Sequence, residues 1–172
     1  MAKTYPDIGT FSPGDVLTAA TMNDVGTNLD NQRVPPECVV VRTSNTTTIN
    51  PVDWNSEQTD TDGMYDAGTP SRITIQTPGI YVINFSGYLS GTTNLTNPSA
   101  FIAKNGAAAS RNYLTPIGPN AIFSLVATLE LVATDYITAG LTGTGGTLTF
   151  VGAATNTDQQ GRLAATWLGQ VS

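Results

Sequence analysis

Alternation of apolar and polar residues from residue 38 onward constrains the fold of this chain more than any other feature. The uncharged segment 79–91, GIYVINFSGYLSG, sets Ile80 and Val82 against Tyr81 and Ile83. A period of two places neighbouring side chains on opposite faces of a β-strand. Turn residues recur at roughly ten-residue intervals, a spacing typical of sandwiches and barrels. The pattern therefore predicts an all-β domain whose strands each bury at least one face.

Roughly eight to ten strands fit this pattern. They are predicted within 38–44, 46–54, 72–77, 79–91, 99–106, 110–116, 121–141, 146–152 and 162–171. The apolar segment 121–141 is interpreted as two strands that meet near Asp135, because its Thr, Val, Phe and Ile content favours strands over a helix. Asn105-Gly106 is the dipeptide most typical of a tight hairpin turn, so the segments on either side of it are expected to pair.

The N-terminal region differs from the rest, because it is rich in Pro and Gly and has no period of two. The segment 15–32, DVLTAATMNDVGTNLDNQ, contains the one helix that the sequence predicts, with Thr18 or Thr21 as its N-cap. Two consecutive prolines then end regular structure. The sequence therefore predicts an N-terminal arm over 1–36 and a β domain over 37–172.

Charge and apolar content exclude several classes of function. The chain has seven basic and 13 acidic residues, a net charge of −6, so it lacks the Lys/Arg patch that nucleic-acid binding requires. No apolar stretch approaches the roughly 20 residues of a membrane span. The N-terminus lacks the apolar centre of a signal peptide, so we expect synthesis in a cytoplasm without secretory export. Cys38 begins the run CVVV and is interpreted as a buried apolar residue rather than a reactive thiol.

Catalytic and metal-binding motifs are scarce in this sequence. It has no histidine, which excludes Ser-His-Asp and Cys-His nucleophile systems, and it has no phosphate-binding glycine loop. We therefore expect a protein that is not an enzyme and needs no cofactor. The acidic residues cluster in one segment, at Asp53, Glu57, Asp60, Asp62 and Asp66.

Three interpretations of this acidic segment remain open. The simplest is an exposed loop between two strands. The second is a calcium site through Asp60, Asp62 and Asp66, because hard cations prefer several carboxylate oxygens. An EF-hand alignment fails at both ends, however, where Gln58 and Thr69 stand in place of acidic ligands. The third is a pair of catalytic carboxylates, Asp60 and Asp62, of the kind that glycosidases use.

The order of several motifs is similar to the jelly-roll domain of the C1q/tumour-necrosis-factor superfamily. RITIQTPGIYVINFSGYLSG resembles the central signature of that family, in which a Pro-Gly corner leads into Gly-Ile/Val-Tyr and an aromatic strand. LELVATDYITAGL resembles its L-x-L-x-x-G-D-x-[IVF] strand pair, with Thr134 where glycine is usual. FIAKNG and RLAATWLG resemble its hairpin and its last strand. The resemblance covers about residues 38–172 and implies a jelly-roll sandwich that assembles as a trimer.

A second resemblance lies in the arm. TFSPGDVLTAATMNDVGTNLDNQ is similar to the leaders of tailed-bacteriophage structural proteins, which carry the pattern Phe-x-x-Gly-Asp-x-Leu-x-Ala-x-x-[LM]-Asn. The matching residues are Phe11, Gly14, Asp15, Leu17, Ala19, Met22 and Asn23. Such leaders join parts of a virion, so the resemblance implies that the arm is an anchor. The apolar residues expected to make the capsid contact are Tyr5, Ile8, Phe11, Val16, Leu17 and Met22.

Surplus apolar strand surface favours self-assembly on physical grounds as well. Ile80 and Val82 cannot face the same interior as Tyr81 and Ile83, so one apolar face must meet another subunit if it is to be dry. Three-fold packing would bury that face and protect the strand edges. The residues expected in the core or at the trimer interface are Tyr81, Ile83, Phe85, Phe123, Leu125 and Trp167.

The sequence thus leads to three hypotheses of function. The first is a bacteriophage virion protein on the particle surface, made in the host cytoplasm: a homotrimeric decoration or cement protein whose arm binds the major capsid protein or another virion protein. The second is a tail or head fibre tip that binds a host receptor or glycan through aromatic residues such as Tyr88 or Tyr113. The third is a carbohydrate-active enzyme that uses Asp60 and Asp62.

Overall fold

In the computed structural model, the described residues of this chain form two antiparallel β-sheets and one helix. The structure describes residues 3, 9–10, 12–91, 96–114, 120–144, 147–152 and 161–170. In chain order the elements are α1 (Ala19–Arg33), β1 (Glu37–Arg42), β2 (Ser56–Asp60), β3 (Arg72–Thr74), β4 (Gly79–Gly91), β5 (Thr96–Lys104), β6 (Ala107–Tyr113), β7 (Asn120–Leu131), β8 (Tyr136–Thr144), β9 (Leu148–Val151) and β10 (Gly161–Gly169). The predicted all-β sandwich is confirmed.

Consecutive strands cross repeatedly between the two sheets. The larger sheet has the order β2-β1-β10-β4-β7, with β9 also paired to β4, and the smaller sheet has the order β3-β8-β5-β6. Strand β4 is central, because it pairs with β7 from Gly79↔Leu131 to Ser90↔Asn120 and with β10 and β9 on its other side. The loop after β2 is hydrogen-bonded to β3 at one lateral side of the sandwich. At the opposite lateral side, β6 lies against β7.

The hydrophobic core lies between the sheets and follows from the period of two. On β4 the side chains of Tyr81, Ile83 and Phe85 are fully buried, whereas those of the alternating residues Ile80 and Val82 are only half-buried on the outer face. Four aromatic rings meet edge to face or tilted in the centre of the core; they belong to Trp54, Phe85, Phe123 and Phe150. Aromatic rings bury large apolar areas, so this cluster is expected to dominate the stability of the fold.

Two parts of the strand prediction are wrong. Residues 46–54 form only the isolated bridges Thr46↔Phe150 and Ile49↔Val52 rather than a strand. Pro51 explains this, because it has no N–H to donate to a ladder. The acidic segment 53–66, for which a surface loop was the simplest interpretation, contains strand β2, which pairs with β1 across a register shift between Val39 and Val40, and only the part after Asp60 is a loop.

The predicted helix is present and is capped by Thr18, whose side chain accepts a hydrogen bond from the N–H of Thr21 at 3.2 Å. It continues to Arg33, and no residue of the helix is buried. Helices that bury nothing derive little stability from packing. Within the described residues, no helix has the length and apolar content to cross a membrane.

Candidate subunit interface

A stripe of exposed side chains, two of them large and apolar, runs along the outer face of β7 in the larger sheet. It consists of the outward-pointing residues Ile122, Ser124, Val126, Thr128 and Glu130, and we call it the β7 stripe. Ile122 is 81% exposed and Val126 is 53% exposed. Between Ile122 and Thr128 the stripe carries no charge. Large apolar side chains with this exposure on the outer face of a sheet are typical of a surface that another protein covers.

Strand β4 extends the apolar surface next to the β7 stripe. Tyr88 stands directly opposite Ile122, and Val82 stands directly opposite Thr128. Both side chains are half-buried on the outer face. Directly opposed residues on one face of a sheet lie about 5 Å apart, so Tyr88 lies beside Ile122 and Val82 beside Thr128. The pairs Ser86↔Ser124 and Asn84↔Val126 lie between them on the same face.

Five of the six residues expected in the core or at the trimer interface lie in the core. Tyr81, Ile83, Phe85, Phe123 and Leu125 all point inward and belong to the core. The outer face of β7 is instead supplied by their sequence neighbours, Ile122 and Val126, which the list of expected residues omitted. The sequence did indicate a second apolar face, since 121–131 has apolar residues on both faces. The period of two alone, however, does not tell which of the two faces a second subunit covers.

Trp167, the sixth expected residue, lies at the end of the sheet where β4 begins. It is partly buried against the core, and its indole N–H donates to the carbonyl oxygen of Pro78 at 3.2 Å. A Cβ on Gly79 would lie 2.7 Å from the indole Cδ1 and closer still to Nε1. The Pro-Gly corner therefore provides the space into which the indole fits.

The residues expected to anchor the arm are exposed where they can be described. Val16 is 87% exposed, and Leu17 and Met22 are each about half-exposed. Leu29 is similarly exposed further along α1. The other three expected contacts, Tyr5, Ile8 and Phe11, lie outside the described residues.

The acidic segment uses its carboxylates for its own structure. Both carboxylate oxygens of Asp60 accept backbone N–H groups, from Met64 at 2.9 Å and from Tyr65 at 2.9 Å, with a third from Asp62 at 3.2 Å. Asp66 accepts the N–H of Gly68 at 2.8 Å in an exposed turn. Hydrogen bonds of this kind stabilise a tight loop and leave few lone pairs free for a cation or a substrate.

Asp62 is fully buried, although the next residue, Gly63, is exposed. Burial raises the pKa of Asp62, while hydrogen bonds from the side chain and backbone of Thr77 and the positive charge of Lys3 oppose that rise. The backbone N–H of Lys3 donates to the Thr77 hydroxyl at 2.8 Å, so part of the N-terminal segment lies against this loop.

A metal or catalytic role for the acidic segment finds no support in this geometry. Within the described parts of the chain, no three His, Cys, Asp or Glu side chains are grouped so that they could hold a metal ion. Asp60 is occupied by backbone donors, and Asp62 is inaccessible to a substrate. The arrangement does not present two carboxylates on opposite sides of an open cleft, as glycoside hydrolysis requires.

The turn between β7 and β8 is held to the neighbouring hairpin by Asp135. Its carboxylate accepts from Lys104 Nζ at 2.9 Å, from Asn105 Nδ2 at 2.7 Å and from the N–H of Val132 at 2.9 Å. Desolvation raises the pKa of Asp135, but these hydrogen bonds outweigh it and lower the pKa to about 2. Thr134, the residue before it, has a φ of +77°.

The remaining candidate groups are placed as follows. The thiol of Cys38 is fully buried, and its pKa is raised by burial and by the nearby carboxylates of Asp60 and Glu57. Tyr113 is 68% exposed at the end of β6, whereas Tyr88 lies in β4, so the two tyrosines suggested for receptor binding belong to different sheets.

Comparison with known proteins identifies the fold. No protein-family model matches the chain, and no curated protein matches it. Among solved structures, the globular domain of zebrafish complement 1qA protein superposes with a TM-score of 0.54 at 16% sequence identity, over 79% of this chain and 98% of that domain. Identity this low shows the fold alone. The chain has a jelly-roll sandwich of the C1q/tumour-necrosis-factor type, as its motifs predict.

Proposed function

We propose that this chain is a bacteriophage virion structural protein: a homotrimer of jelly-roll domains that decorates the capsid and is anchored there by its N-terminal arm. The β7 stripe is the observation that carries the proposal, because Ile122 and Val126 are apolar, lie on the same outer face of β7 and are exposed in a single copy. Around a three-fold axis, residues close to the axis contact their own equivalents in the other two copies. The part of the β7 stripe from Ile122 to Thr128 is suited to that position, since it carries no charge.

The arm supports the anchoring part of the proposal. Its exposed apolar residues Val16, Leu17 and Met22 precede or begin a helix that buries none of its own residues. The leader-like pattern of the sequence includes two of these three positions, Leu17 and Met22. Three arms per trimer would bind a capsid with avidity, so that each single contact can be weak. In this proposal the protein acts by binding and not by turnover.

The oligomer is tested by placing a charge in the β7 stripe. Full-length protein carrying Val126→Asp is expected to be a monomer or to dissociate at least tenfold more readily than the unchanged protein, because a carboxylate would be buried at the axis. Val16→Asp is the matched control, since Val16 is also exposed and lies in the arm. Sedimentation velocity over a dilution series measures the dissociation of both variants and of the unchanged protein. An unchanged protein that is monomeric at micromolar concentration would refute the trimer.

The anchoring role is tested with capsids of the parent phage that lack the protein. A chain that begins at residue 37, and a full-length chain with Leu17→Asp and Met22→Asp, are both expected to remain trimeric but to lose capsid binding in co-sedimentation. Equal binding by the altered chains contradicts an anchoring arm. Labelling of the protein on intact particles, viewed by electron microscopy, distinguishes a capsid position from the tip of a fibre.

A further inference from the structure

One lateral side of the sandwich is acidic, whereas the edge strand of the other side, β6, carries a single positive charge; Arg72 on β3 and Glu130 on β7 are the other charges of these strands. One side is formed by β2, the loop that follows it and β3; the other side is formed by β6 and β7. The acidic segment 53–66 lies on the first side and contains five acidic and no basic residues. Strand β6 on the second side has one charged residue, Arg111.

Side chains on both sides are available to a partner. Glu57 on β2 is exposed, and so is Asp66 in the loop after it. Arg111 is exposed on β6, with its guanidinium 5.8 Å from the centre of the Phe101 ring. Stacking on an aromatic ring reduces the number of conformations that an arginine can adopt, so Arg111 is held in position for an ion pair.

Both sides also end in a strand edge. Strand β2 is the last strand of the larger sheet, and β6 is the last strand of the smaller sheet. The residues of β6 before Arg111 are Ala107, Ala108, Ala109 and Ser110, whose small side chains allow another chain to approach closely. Exposed edges are a hazard for aggregation, and proteins usually cover them.

We propose that, in the trimer, the acidic β2 side of each copy packs against the β6 side of the next copy, with Glu57 of one copy paired to Arg111 of its neighbour. This inference rests on the proposed function, since it names the surfaces that flank the axial β7 stripe. A cyclic trimer requires such a contact between two different surfaces, because a head-to-tail interface closes into a ring. Complementary charge fixes which surfaces meet and in which register.

A double-mutant cycle on the full-length protein tests the pairing. Arg111→Glu alone and Glu57→Lys alone are each expected to raise the trimer dissociation constant about tenfold, because each places like charges opposite one another. The double variant Arg111→Glu with Glu57→Lys is expected to return to within about threefold of the unchanged protein, since contacting residues are not additive. Arg33→Glu is the control: it makes the same charge change on α1, where Arg33 is 82% exposed.

The outcomes separate the two proposals. Weaker trimer association in both single variants, with recovery of association in the double variant, supports the pairing. A trimeric unchanged protein whose single variants are unaffected, or whose losses simply add in the double variant, overturns the pairing and leaves the trimer intact. An unchanged protein that is monomeric overturns both. Circular dichroism spectra of all variants show whether any loss reflects unfolding instead of a lost contact.

Discussion

The indole of Trp167 occupies the space in which a side chain at position 79 would stand. Its Nε1 donates to the carbonyl oxygen of Pro78, and its ring covers the Cα of Gly79. The contact joins the first residue of β4 to the C-terminal end of β10, so it fixes the end of the larger sheet near the start of β1. The Pro-Gly corner of the sequence is thus a packing requirement as well as a turn.

Gly79→Ala is expected to destabilise the fold by about 3 kcal/mol, because the new methyl group would overlap the indole and the carbonyl oxygen of Gly169. Urea unfolding followed by circular dichroism, at one fixed protein concentration, measures the loss. Gly169→Ala is the matched control, since a Cβ there meets nothing within 4 Å. A loss at position 79 no larger than that at position 169 would contradict the packing described.

Thr134→Gly is expected to stabilise the protein by about 1 kcal/mol. Thr134 is β-branched and has a φ of +77°, a conformation that costs such residues roughly 1–3 kcal/mol and glycine little. Part of the gain is offset by the larger entropy of glycine in the unfolded chain. Thr138→Gly, inside β8, is the control and is expected to destabilise. Thermal unfolding compares the two, and a lower melting temperature for Thr134→Gly would show that the backbone is not strained there.

Asp135→Asn is expected to cost about 1–2 kcal/mol at neutral pH, because it removes the charge that Lys104 and Asn105 contact. The folded pKa of Asp135 is lowered from 3.8 to about 2, so the carboxylate stabilises the fold above pH 4 and this contribution is lost as the pH falls toward 2. The difference between the two proteins should therefore shrink over that range. Asp66→Asn, which makes the same substitution in an exposed turn, is the matched control.

Asp62→Asn is expected to keep or increase stability at neutral pH, by on the order of 1 kcal/mol, because it removes a buried charge and retains an amide that can hydrogen-bond to Thr77. The pKa of Asp62 is raised, so the unchanged protein gains stability from this residue as the pH falls through that pKa. The advantage of the asparagine variant should accordingly disappear in acid. Melting temperatures at pH 7 and pH 4 measure it, with Asp62→Ala as a destabilised comparison; equal losses in both variants at pH 7 would contradict the expectation.

Several features of the fold could be predicted because they depend on short stretches of sequence. The alternation in 79–91 determines that Tyr81 and Ile83 share one face, and the structure buries both. Asn105-Gly106 forms the predicted turn between β5 and β6, and Thr18 caps the predicted helix. Local backbone preferences and side-chain periodicity suffice for these predictions.

Other features could not be predicted, because they depend on distant pairing. Strand β2 has only charged and polar residues, so it has no apolar period, and it is a strand because β1 offers its free edge. Residues 46–54 have a suitable composition, yet they find no continuous partner. The buried position of Asp62 depends on Thr77 and on the N-terminal segment, neither of which the sequence around residue 62 reveals.

The sequence by itself determined the period of the strands, the positions of the main turns and the presence of apolar residues on both faces of the segment 79–91. The tertiary structure alone decided which apolar face became the core and which, at Ile122 and Val126, stayed exposed. The physical reason is that, when both faces of a strand are apolar, the sequence of the strand does not indicate which face will be buried. Only the second sheet, by covering one face, makes the two faces different.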